Sequence, residues 1–374
     1  MVDAAVARWT LPRSQEENLH HRESPMTDAS FENPLPSPAL LEAYLRAMAP
    51  FWHPVCPVAA LGREPMPIEL LGKRLTIVRL DGRVAVFSDL CPHLGAALSL
   101  GSVVEGRHLR CPYHGWSFDR TGRCVDIPAR RGLSIPAATR AETFPSTEAH
   151  GMIWACLAPP ARYPIPDFPE LSDPHFHLGS WKEGSAWRAS APRVILSQLD
   201  DTHFCWVHPG TIGNAGHPET PDHKVSRTAS TVVSRFTVWQ RAEAPSVGLG
   251  STAADKEGPL PVSYVIEAGT SSVRIRKQRK DAAFAVFQAV SPVRHDRCRV
   301  FWRIARTYDQ KTETDPIHDR VQEAILEEDR KVVESQRPWL LPPISAGRIR
   351  YLGPCDLPLV EYHCWMEELG VPQL

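Results

Sequence analysis

The sequence lacks a long apolar run. A helix that crosses a membrane needs about 18 or more consecutive apolar residues, and no stretch of the 374 residues approaches that length. The N-terminal stretch MVDAAVARWTLPRSQEENLHHRESP is polar and lacks the apolar centre of a signal peptide. We therefore expect a cytoplasmic protein.

An excess of charge of one sign is also missing. The 42 basic and 43 acidic side chains give a formal net charge of −1, which offers no electrostatic footprint for nucleic acid or an anionic membrane.

Nine cysteines in 374 residues are too few for a disulfide scaffold. Seven of them lie at unrelated spacings, and we expect small buried thiols: Cys56, Cys124, Cys156, Cys205, Cys298, Cys355 and Cys364.

The length and the 43% hydrophobic content exceed what one core usually holds, so two domains are predicted. The sequence indicates an irregular extension at 1–44, a small all-β domain at 45–156 and a larger domain at 157–374. The extension contains Met26, an alternative start of the native chain. Because the larger domain mixes strand and helix patterns, the predicted fold class is α+β.

Strands are predicted where apolar runs are separated by turn residues. An Asp-Gly pair at 81–82 divides the apolar runs of 75–88, and a second hairpin is predicted at 116–125. In the second domain, 262–278 and 299–307 have strand composition.

The second domain opens with a proline-rich stretch, 157–174, which suits a linker or a segment that follows the surface. A helix is predicted over 315–338, with Asp315 as its N-cap and Pro338 at its end. The segment 241–262 is predicted to be a long mobile loop, for which a lid and a disordered connection are equal alternatives.

Two short loops in the first domain each carry one cysteine and one histidine. Cys91 and His93 lie in CPHLG, and Cys111 and His114 lie in CPYHG. Two thiolates and two imidazoles can bind zinc, or a [2Fe–2S] cluster with two histidines on one iron. Zinc fingers pair cysteine with cysteine and histidine with histidine, whereas each loop here supplies one of each. This spacing favours the two-iron cluster.

With these flanks, CPHLGA and CPYHGW, the chain resembles the Rieske family. The resemblance implies that the two cysteines bind one iron of the cluster and the two histidines bind the other. Respiratory members carry an additional cysteine in each loop, and this chain has Ala96 and Tyr113 at those places. The oxygenase or ferredoxin branch is therefore favoured. We expect Trp116 to pack against the cluster loop rather than to relay electrons.

A second metal motif lies in SQLDDTHFCWVHPG, 197–210, where Asp200, His203 and His208 have the spacing D-x2-H-x4-H. Pro209 disfavours helical geometry at His208, so a helix should end there and let both imidazoles reach one metal. Two histidines and one carboxylate form the facial triad of non-haem iron oxygenases. The third ligand has to come from elsewhere in the chain.

The helix predicted at 315–338 is the best source of this carboxylate. Glu328 and Asp329 interrupt its apolar stripe, and periodicity does not choose between them. The stripe consists of Ile317, Val321, Ile325 and Val332. The stretch EEDRKVVESQRP resembles the C-terminal helix of monooxygenase-type Rieske oxygenases, and that resemblance favours Asp329 as the iron ligand.

The resemblance gives Asp200 a separate role, in which it joins a cluster histidine of one subunit to the iron-ligand histidine of the next. It therefore implies a head-to-tail ring of subunits, typically a homotrimer. The neighbouring Asp201 is predicted to be exposed. The histidines without a partner at ligand spacing are predicted to be structural or on the surface: His53, His175, His177, His217, His223 and His363.

These patterns predict the oxygenase component of a Rieske non-haem iron system, with a helix-grip-like catalytic domain. Electrons from an NAD(P)H-dependent reductase, directly or through a ferredoxin, would reach O2 at the mononuclear iron. The single chain resembles the phthalate, vanillate and dicamba class, which favours hydroxylation or oxidative demethylation of a small aromatic or cyclic substrate over cis-dihydroxylation. Two alternatives are a Rieske-type electron carrier without mononuclear iron and a zinc-stabilised interaction module, which would be colourless.

The sequence does not identify the substrate. One run of cations, Arg274, Arg276 and Lys277, has two interpretations. It could pair with an anionic substrate, but a solvated strand face is the interpretation we favour.

Overall fold

The computed structural model describes residues 36–209, 211–241, 259–280 and 282–371. Five α-helices lie within these ranges. They are α1 (Pro38–Met48), α2 (Ala191–Ser197), α3 (Phe204–Val207), α4 (Asp315–Val333) and α5 (Leu357–Glu368).

The first half of the chain forms three small antiparallel sheets. The first has the order β1-β11-β10, the second β2-β3-β4-β9 and the third β5-β6-β7-β8. Their strands are β1 (His53–Pro57), β2 (Met66–Leu70), β3 (Lys73–Leu80), β4 (Arg83–Ser88), β5 (Ser102–Val104), β6 (His108–Arg110), β7 (Ser117–Phe118), β8 (Cys124–Asp126), β9 (Thr143–Phe144), β10 (Ser146–Ala149) and β11 (Met152–Ala155).

The second half is built on one eight-stranded antiparallel sheet of order β12-β19-β18-β17-β16-β15-β14, with β13 also paired to β19. Its strands are β12 (His177–Leu178), β13 (Lys182–Glu183), β14 (Lys224–Arg227), β15 (Val232–Arg241), β16 (Pro259–Ala268), β17 (Ser272–Arg279), β18 (Ala282–Arg294) and β19 (Arg297–Arg306). The predicted α+β class is confirmed, because small all-β sheets precede a large antiparallel sheet with helices.

Both predicted hairpins are confirmed. Asp81 and Gly82 have φ angles of 50° and 72° between β3 and β4, as a two-residue turn with left-handed central residues requires. The second hairpin pairs β7 with β8. Among the described helices, none is long and apolar enough to cross a membrane.

The predicted extension is wrong over its last residues. Residues 38–44 belong to helix α1, which Ser37 begins by accepting a hydrogen bond from the backbone N–H of Leu40 at 3.2 Å. Met26 and the rest of the extension up to residue 35 lie outside the described residues. The division of the chain into two domains at 156 and 157 stays a prediction.

Helix α4 differs from its prediction at both ends and along its buried face. Its N-cap is Thr314, and Asp315 is instead the first helical residue, held by Arg306 at 2.6 Å. The helix ends at Val333, before Pro338. The predicted apolar stripe is wrong, because Ile317 and Val332 are half exposed. The residues that are buried are His318, Gln322, Ile325, Leu326, Asp329 and Val333.

The long loop predicted at 241–262 is wrong at both of its ends. Arg241 ends β15 and 259–262 begin β16, whereas 242–258 lie outside the described residues. The proline-rich stretch 157–174 follows the sheet surface, where Phe168 is buried and stacks on Phe287 with ring centroids 5.0 Å apart.

The eight-stranded sheet has two faces with different tasks, because successive side chains of a strand point to opposite sides. One face packs against the proline-rich stretch and against Trp154 of β11, through Phe287 and its neighbours. The other face carries Tyr264, Lys277 and Val286, which line a cavity together with helix α4. The sheet therefore supports the cavity on one side and joins the first half of the chain on the other.

Candidate functional site

Three predicted site residues meet at the floor of this cavity. His203 Nε2 lies 3.2 Å from His208 Nε2, and Asp329 Oδ1 lies 3.3 Å from His203 Nε2 and 2.9 Å from His208 Nε2. Nitrogen and oxygen ligands that surround one ion at right angles, about 2.1 Å from it, are themselves about 3.0 Å apart. The three side chains thus fit one face of a single metal ion.

Local backbone geometry brings the two histidines together. Helix α3 has only four residues, with His203 as its N-cap and His208 as its C-cap. At His208 the backbone leaves the helical region, with φ −118° and ψ 47°, which confirms that the helix ends before Pro209. The carbonyl of His208 accepts hydrogen bonds from the N–H groups of Thr211 at 3.1 Å and Gly213 at 2.8 Å. These bonds fix the loop that turns the second imidazole back.

Carboxylates hold the outer nitrogen of each imidazole. Asp200 Oδ2 lies 3.3 Å from His203 Nδ1, and Glu328 Oε2 lies 2.7 Å from His208 Nδ1. Such partners fix the orientation of a ligand ring and raise its basicity. Glu328, the alternative to Asp329 in the sequence, therefore contacts the far side of His208 and not the point where the three ligand atoms meet.

Two glutamines that were not among the predicted site residues orient Asp329, Gln198 by direct contact and Gln288 through Gln198. Gln198 Nε2 donates to Asp329 Oδ2 at 3.3 Å, and its carbonyl accepts from Gln288 Nε2 at 2.7 Å. This chain of bonds leaves Asp329 Oδ1 directed at the histidines. A signal existed in principle, because Gln198 precedes the histidine motif by less than two helical turns.

The charges at this point are strongly coupled. Burial by itself lowers the pKa of His203, but the carboxylates of Asp200 and Asp329 outweigh it and raise that pKa to about 10. Burial raises the pKa of Asp329, and the two histidines outweigh this effect and lower it to about 2. The site therefore keeps its carboxylates ionised and favours positive charge between them.

Asp201 was predicted to be exposed, and this is wrong. Its side chain is buried and lies 2.7 Å from His223 Nε2. Burial lowers the pKa of His223, but the Asp201 carboxylate outweighs it, so the pKa is raised. The pair is a structural contact that fastens the segment before β14 to the start of the histidine motif.

The two cysteine–histidine loops have the same backbone pattern. The N–H of Cys91 donates to Ala96 at 2.8 Å and that of Gly95 to the carbonyl of Cys91 at 2.9 Å. The second loop repeats both bonds, from Cys111 to Trp116 at 2.8 Å and from Gly115 to Cys111 at 3.2 Å. Gly95 and Gly115 have φ angles of 73° and 71°, which glycine adopts without strain.

The loops separate their sulfur ligands from their nitrogen ligands. Cys91 and Cys111 are buried, whereas His93 and His114 are exposed, with ring centroids 4.7 Å apart. A single ion would need all four ligands at one point. Within the described ranges, only one group of three or more histidine, cysteine, aspartate or glutamate side chains brings its ligand atoms within 4.8 Å of one another, and this group is His203, His208 and Asp329. The four side chains of the two loops do not converge on one point in this way. The arrangement suits a two-iron cluster with a buried thiolate end and an exposed imidazole end.

Two further side chains support these loops. Trp116 stacks on His93, with ring centroids 4.4 Å apart and planes 9° apart, in agreement with the packing role expected for it. Asp89, which the sequence did not single out, is buried and accepts hydrogen bonds from Thr76 Oγ1 at 2.6 Å and from the N–H of Ser99 at 2.7 Å. Asp89 therefore ties both ends of the first loop to strand β3.

The cavity above the triad has a mostly apolar wall and one cation. Its apolar side chains include Ile266, Ile275 and Val286. Lys277 lines it and is buried, so a solvated strand face is the wrong interpretation for this residue. Arg274 points to the opposite side of β17 and is paired with Glu170 and Glu267.

Comparison with known proteins agrees with both metal-binding patterns. Residues 51–145 match the Rieske [2Fe-2S] domain and residues 187–352 match the vanillate O-demethylase oxygenase C-terminal domain. Vanillate O-demethylase oxygenase subunit of Pseudomonas sp. (strain ATCC 19151) is 30% identical over 75% of this chain and 92% of its own length. The chain belongs to the Rieske non-haem iron oxygenases.

Two further comparisons concern methylxanthine N1-demethylase NdmA of Pseudomonas putida. Its sequence is 29% identical over 85% of this chain and 88% of its own length. The solved structure of NdmA with caffeine has a TM-score of 0.76 at 26% identity, covering 88% of this chain and 92% of that one.

As a member of the Rieske non-haem iron oxygenases, the present chain is an oxidoreductase that carries a [2Fe–2S] cluster and a mononuclear non-haem iron. It uses O2 with electrons supplied by a reductase. The zinc-module and electron-carrier alternatives are wrong.

Proposed function

We propose that this oxygenase component hydroxylates or oxidatively demethylates a small planar ring compound at an iron held by His203, His208 and Asp329. The observation that carries the proposal is the set of separations between the three ligand atoms, 3.2, 3.3 and 2.9 Å, at the floor of a cavity with a mostly apolar wall. The relatives act as O- and N-demethylases according to their names, which favours demethylation over cis-dihydroxylation.

The chain's own groups prepare this site in three ways. His203, His208 and Asp329 would hold the iron at the floor of the cavity, and bound iron would supply the activation of O2 there. Asp200 and Glu328 hold the imidazoles in place through their Nδ1 atoms. Ile266, Ile275 and Val286 form an apolar wall that excludes water from the substrate's ring.

We propose that Cys91 and Cys111 bind one iron of the cluster and His93 and His114 the other. The exposure of both imidazoles supports this proposal, since electrons then enter or leave at the protein surface. Exposed Leu94 stands beside them in the first loop and suits a protein–protein contact. An NAD(P)H-dependent reductase, with or without a ferredoxin, would deliver electrons there, in the cytoplasm where NAD(P)H is available.

The proposed bridging role of Asp200 rests on the exposed part of its carboxylate. One oxygen contacts His203 Nδ1, the other accepts from Thr202, and 24% of the side chain is exposed. A cluster histidine of a neighbouring subunit would bind at that exposed part. This contact implies a head-to-tail ring of subunits, which is a homotrimer in this family. Asp200→Asn, loaded with Fe(II) in excess to offset a weaker hold on His203, should keep its cluster and mononuclear iron while electron transfer from cluster to iron slows at least about a hundredfold, as followed by rapid-mixing spectroscopy. Thr220→Ala, a change at an exposed position, is the control, and an unaffected Asp200→Asn rate contradicts the bridge.

The experiment that tests the proposed function measures iron and acid-labile sulfide per chain on anaerobically purified protein. We expect about three irons and two sulfides, one cluster plus one mononuclear iron. With a reductase and NADH, methoxy- or N-methyl-substituted rings should then release formaldehyde in proportion to the O2 consumed. Two irons for two sulfides after Fe(II) has been added back, with no product from any ring compound, would overturn the proposal.

A further inference from the structure

The cavity contains a buried cation that the metal sites do not use. Lys277 lies on the inner face of β17, between Tyr264 of β16 and Phe284 of β18 in the sheet register. Its side chain is buried, with Nζ 5.4 Å from the centre of the Tyr264 ring and 5.6 Å from that of Phe284. Within the described ranges its ammonium makes neither a hydrogen bond nor an ion pair.

Other buried cations of the chain do have acceptors. Arg274 is held by Glu170 and Glu267, and Arg306 by Asp315. Arg193 donates to the carbonyl of Pro338 at 2.6 Å. A buried charge without an acceptor is costly, so folded proteins pair such groups. The two aromatic rings offset part of this cost for Lys277, but they offer no lone pair to the ammonium.

The carboxylates nearest the cavity already contact groups other than Lys277. Asp329 is directed at the two histidines, and burial lowers the pKa of Lys277 to about 8 although the charge of Asp329 opposes this effect. Asp200 also lines the cavity, but its two oxygens contact His203 Nδ1 and the hydroxyl of Thr202, and Glu328 contacts the outer nitrogen of His208. The ammonium of Lys277 is therefore left without an acceptor on the cavity wall.

We propose that Lys277 determines substrate specificity by binding an anionic oxygen substituent, such as a carboxylate, on a planar ring substrate. This inference rests on the proposed function, since the same cavity must place the ring beside the iron. Tyr264 and Phe284 flank the ammonium and contribute apolar surface next to it. The carboxylate would supply the missing acceptor, and the ring would bind between the apolar wall and the triad.

The test compares two probes of equal shape, benzoate and neutral benzamide, by anaerobic calorimetric titration of the holoenzyme. We expect benzoate to bind the wild type about 10- to 100-fold more tightly than benzamide, as a buried charge-assisted hydrogen bond implies. Lys277→Met should reduce benzoate affinity to that of benzamide and leave benzamide affinity and iron content unchanged. Lys224→Met, the same change on an exposed residue of β14, should keep the full preference.

Three results would overturn the proposal: equal affinity of the wild type for both probes, no benzoate binding at millimolar concentration, or an unchanged preference in Lys277→Met. The first two results are obtained with the wild type alone, so they test the proposal even if Lys277→Met does not fold. Turnover of 4-methoxybenzoate and 4-methoxybenzamide separates this inference from the proposed function. A lysine-dependent binding preference without release of formaldehyde or of any hydroxylated product refutes the proposed reaction in this cavity alone. Equal turnover of both compounds refutes the role of Lys277 alone.

Discussion

At the scale of single residues, adjacent acidic side chains of this chain have different tasks. Asp200 orients His203, while Asp201 is buried against His223. Asp329 Oδ1 faces both imidazoles, whereas Glu328 reaches the rear of only one. Neighbouring side chains on a helix point about 100° apart, which is enough to place one oxygen at the metal position and the other behind a ligand.

This difference predicts two separable effects on iron. Asp329→Asn should lose the mononuclear iron, because the amide is a poor substitute for the charged ligand, and the iron count should fall by one per chain. Glu328→Gln should keep a site whose iron affinity is about 10- to 100-fold weaker, the usual effect of losing a supporting partner. Metal analysis during titration with a chelator measures both.

Sulfide content is the internal control for these variants, since the cluster loops are remote in sequence from α4 and should be unaffected. Loss of iron in Glu328→Gln with retention in Asp329→Asn would reverse the assignment of the two carboxylates.

At the scale of elements, helix α4 shows why its pattern was misread. Hydrophobicity alone placed Ile317 and Val332 on the buried side, yet the helix buries His318, Gln322 and Asp329. A helix face that brings Asp329 to the two histidines and lines the cavity beside them has to carry polar groups, so the most apolar stripe and the buried stripe are not the same. Periodicity identified the helix, whereas its orientation follows from the site it serves.

The histidine motif depends equally on a loop that the sequence does not explain. A Cβ at Gly213 would lie 2.1 Å from the carbonyl oxygen of Phe204 and 2.8 Å from that of His208. Both atoms belong to the backbone around the second imidazole, so Gly213→Ala has to displace them. We expect a loss of about 1–3 kcal/mol in the free energy of unfolding, together with weaker retention of mononuclear iron, measured by denaturant titration and metal analysis.

Gly216→Ala is the matched control on the same loop. A Cβ at Gly216 would approach only the side-chain oxygen of Asn214, at 3.3 Å, and that side chain can move. Should Gly213→Ala retain iron as well as Gly216→Ala does, the loop would not be what positions His208.

Much of the molecule could nevertheless be predicted from its sequence. The cluster loops, the histidine motif and the hairpins β3–β4 and β7–β8 are specified by local spacing and turn residues, such as the Asp-Gly pair at 81–82. Partners distant in the sequence could not be predicted in this way. Gln198, Gln288 and Asp89 act through contacts that only the folded chain creates. Lys277 cannot be told from its basic neighbours Arg274 and Arg276 until the strand register is known.

At the scale of the whole molecule, one apolar core joins the two halves. It extends from Tyr44 of α1 through Ile77 of β3 to Val286 and Trp365 in the second half. His53, at the start of β1, is fully buried beside this core and bonds the carbonyl of Met48 at 2.8 Å. The junction of α1 and β1 therefore contains an ionisable group with no solvent contact.

This burial predicts a dependence of stability on pH. Burial lowers the pKa of His53 from 6.5 to about 4, although its bond to Met48 opposes the shift. The ring's contribution to stability is complete above pH 6.5 and declines as the pH falls towards 4, because the unfolded chain takes up the proton first. Between pH 7 and 5.5 we expect the wild type to lose about 1 kcal/mol more than His53→Gln, measured by urea titration.

His217→Gln, a change at an exposed histidine, should leave the pH dependence of the wild type intact. If the free energies of unfolding of the wild type and of His53→Gln changed in parallel with pH, the His53 ring would not be taking up a proton when the chain unfolds, and the prediction would be wrong.

The pairing register of β17 has a consequence for the evolution of new activities. Lys277 faces the cavity, and Arg274 and Arg276 face away, because Tyr264 is opposite Lys277 and Ile266 is opposite Ile275. A slip of one residue would exchange every side chain between the faces and direct an arginine at the substrate. The short turn before β17, where the N–H of Gly269 donates to Ser272 at 2.8 Å, helps to set that register. A one-residue insertion in this turn would thus replace the compact ammonium on the cavity wall by planar guanidinium groups without changing any residue of the triad.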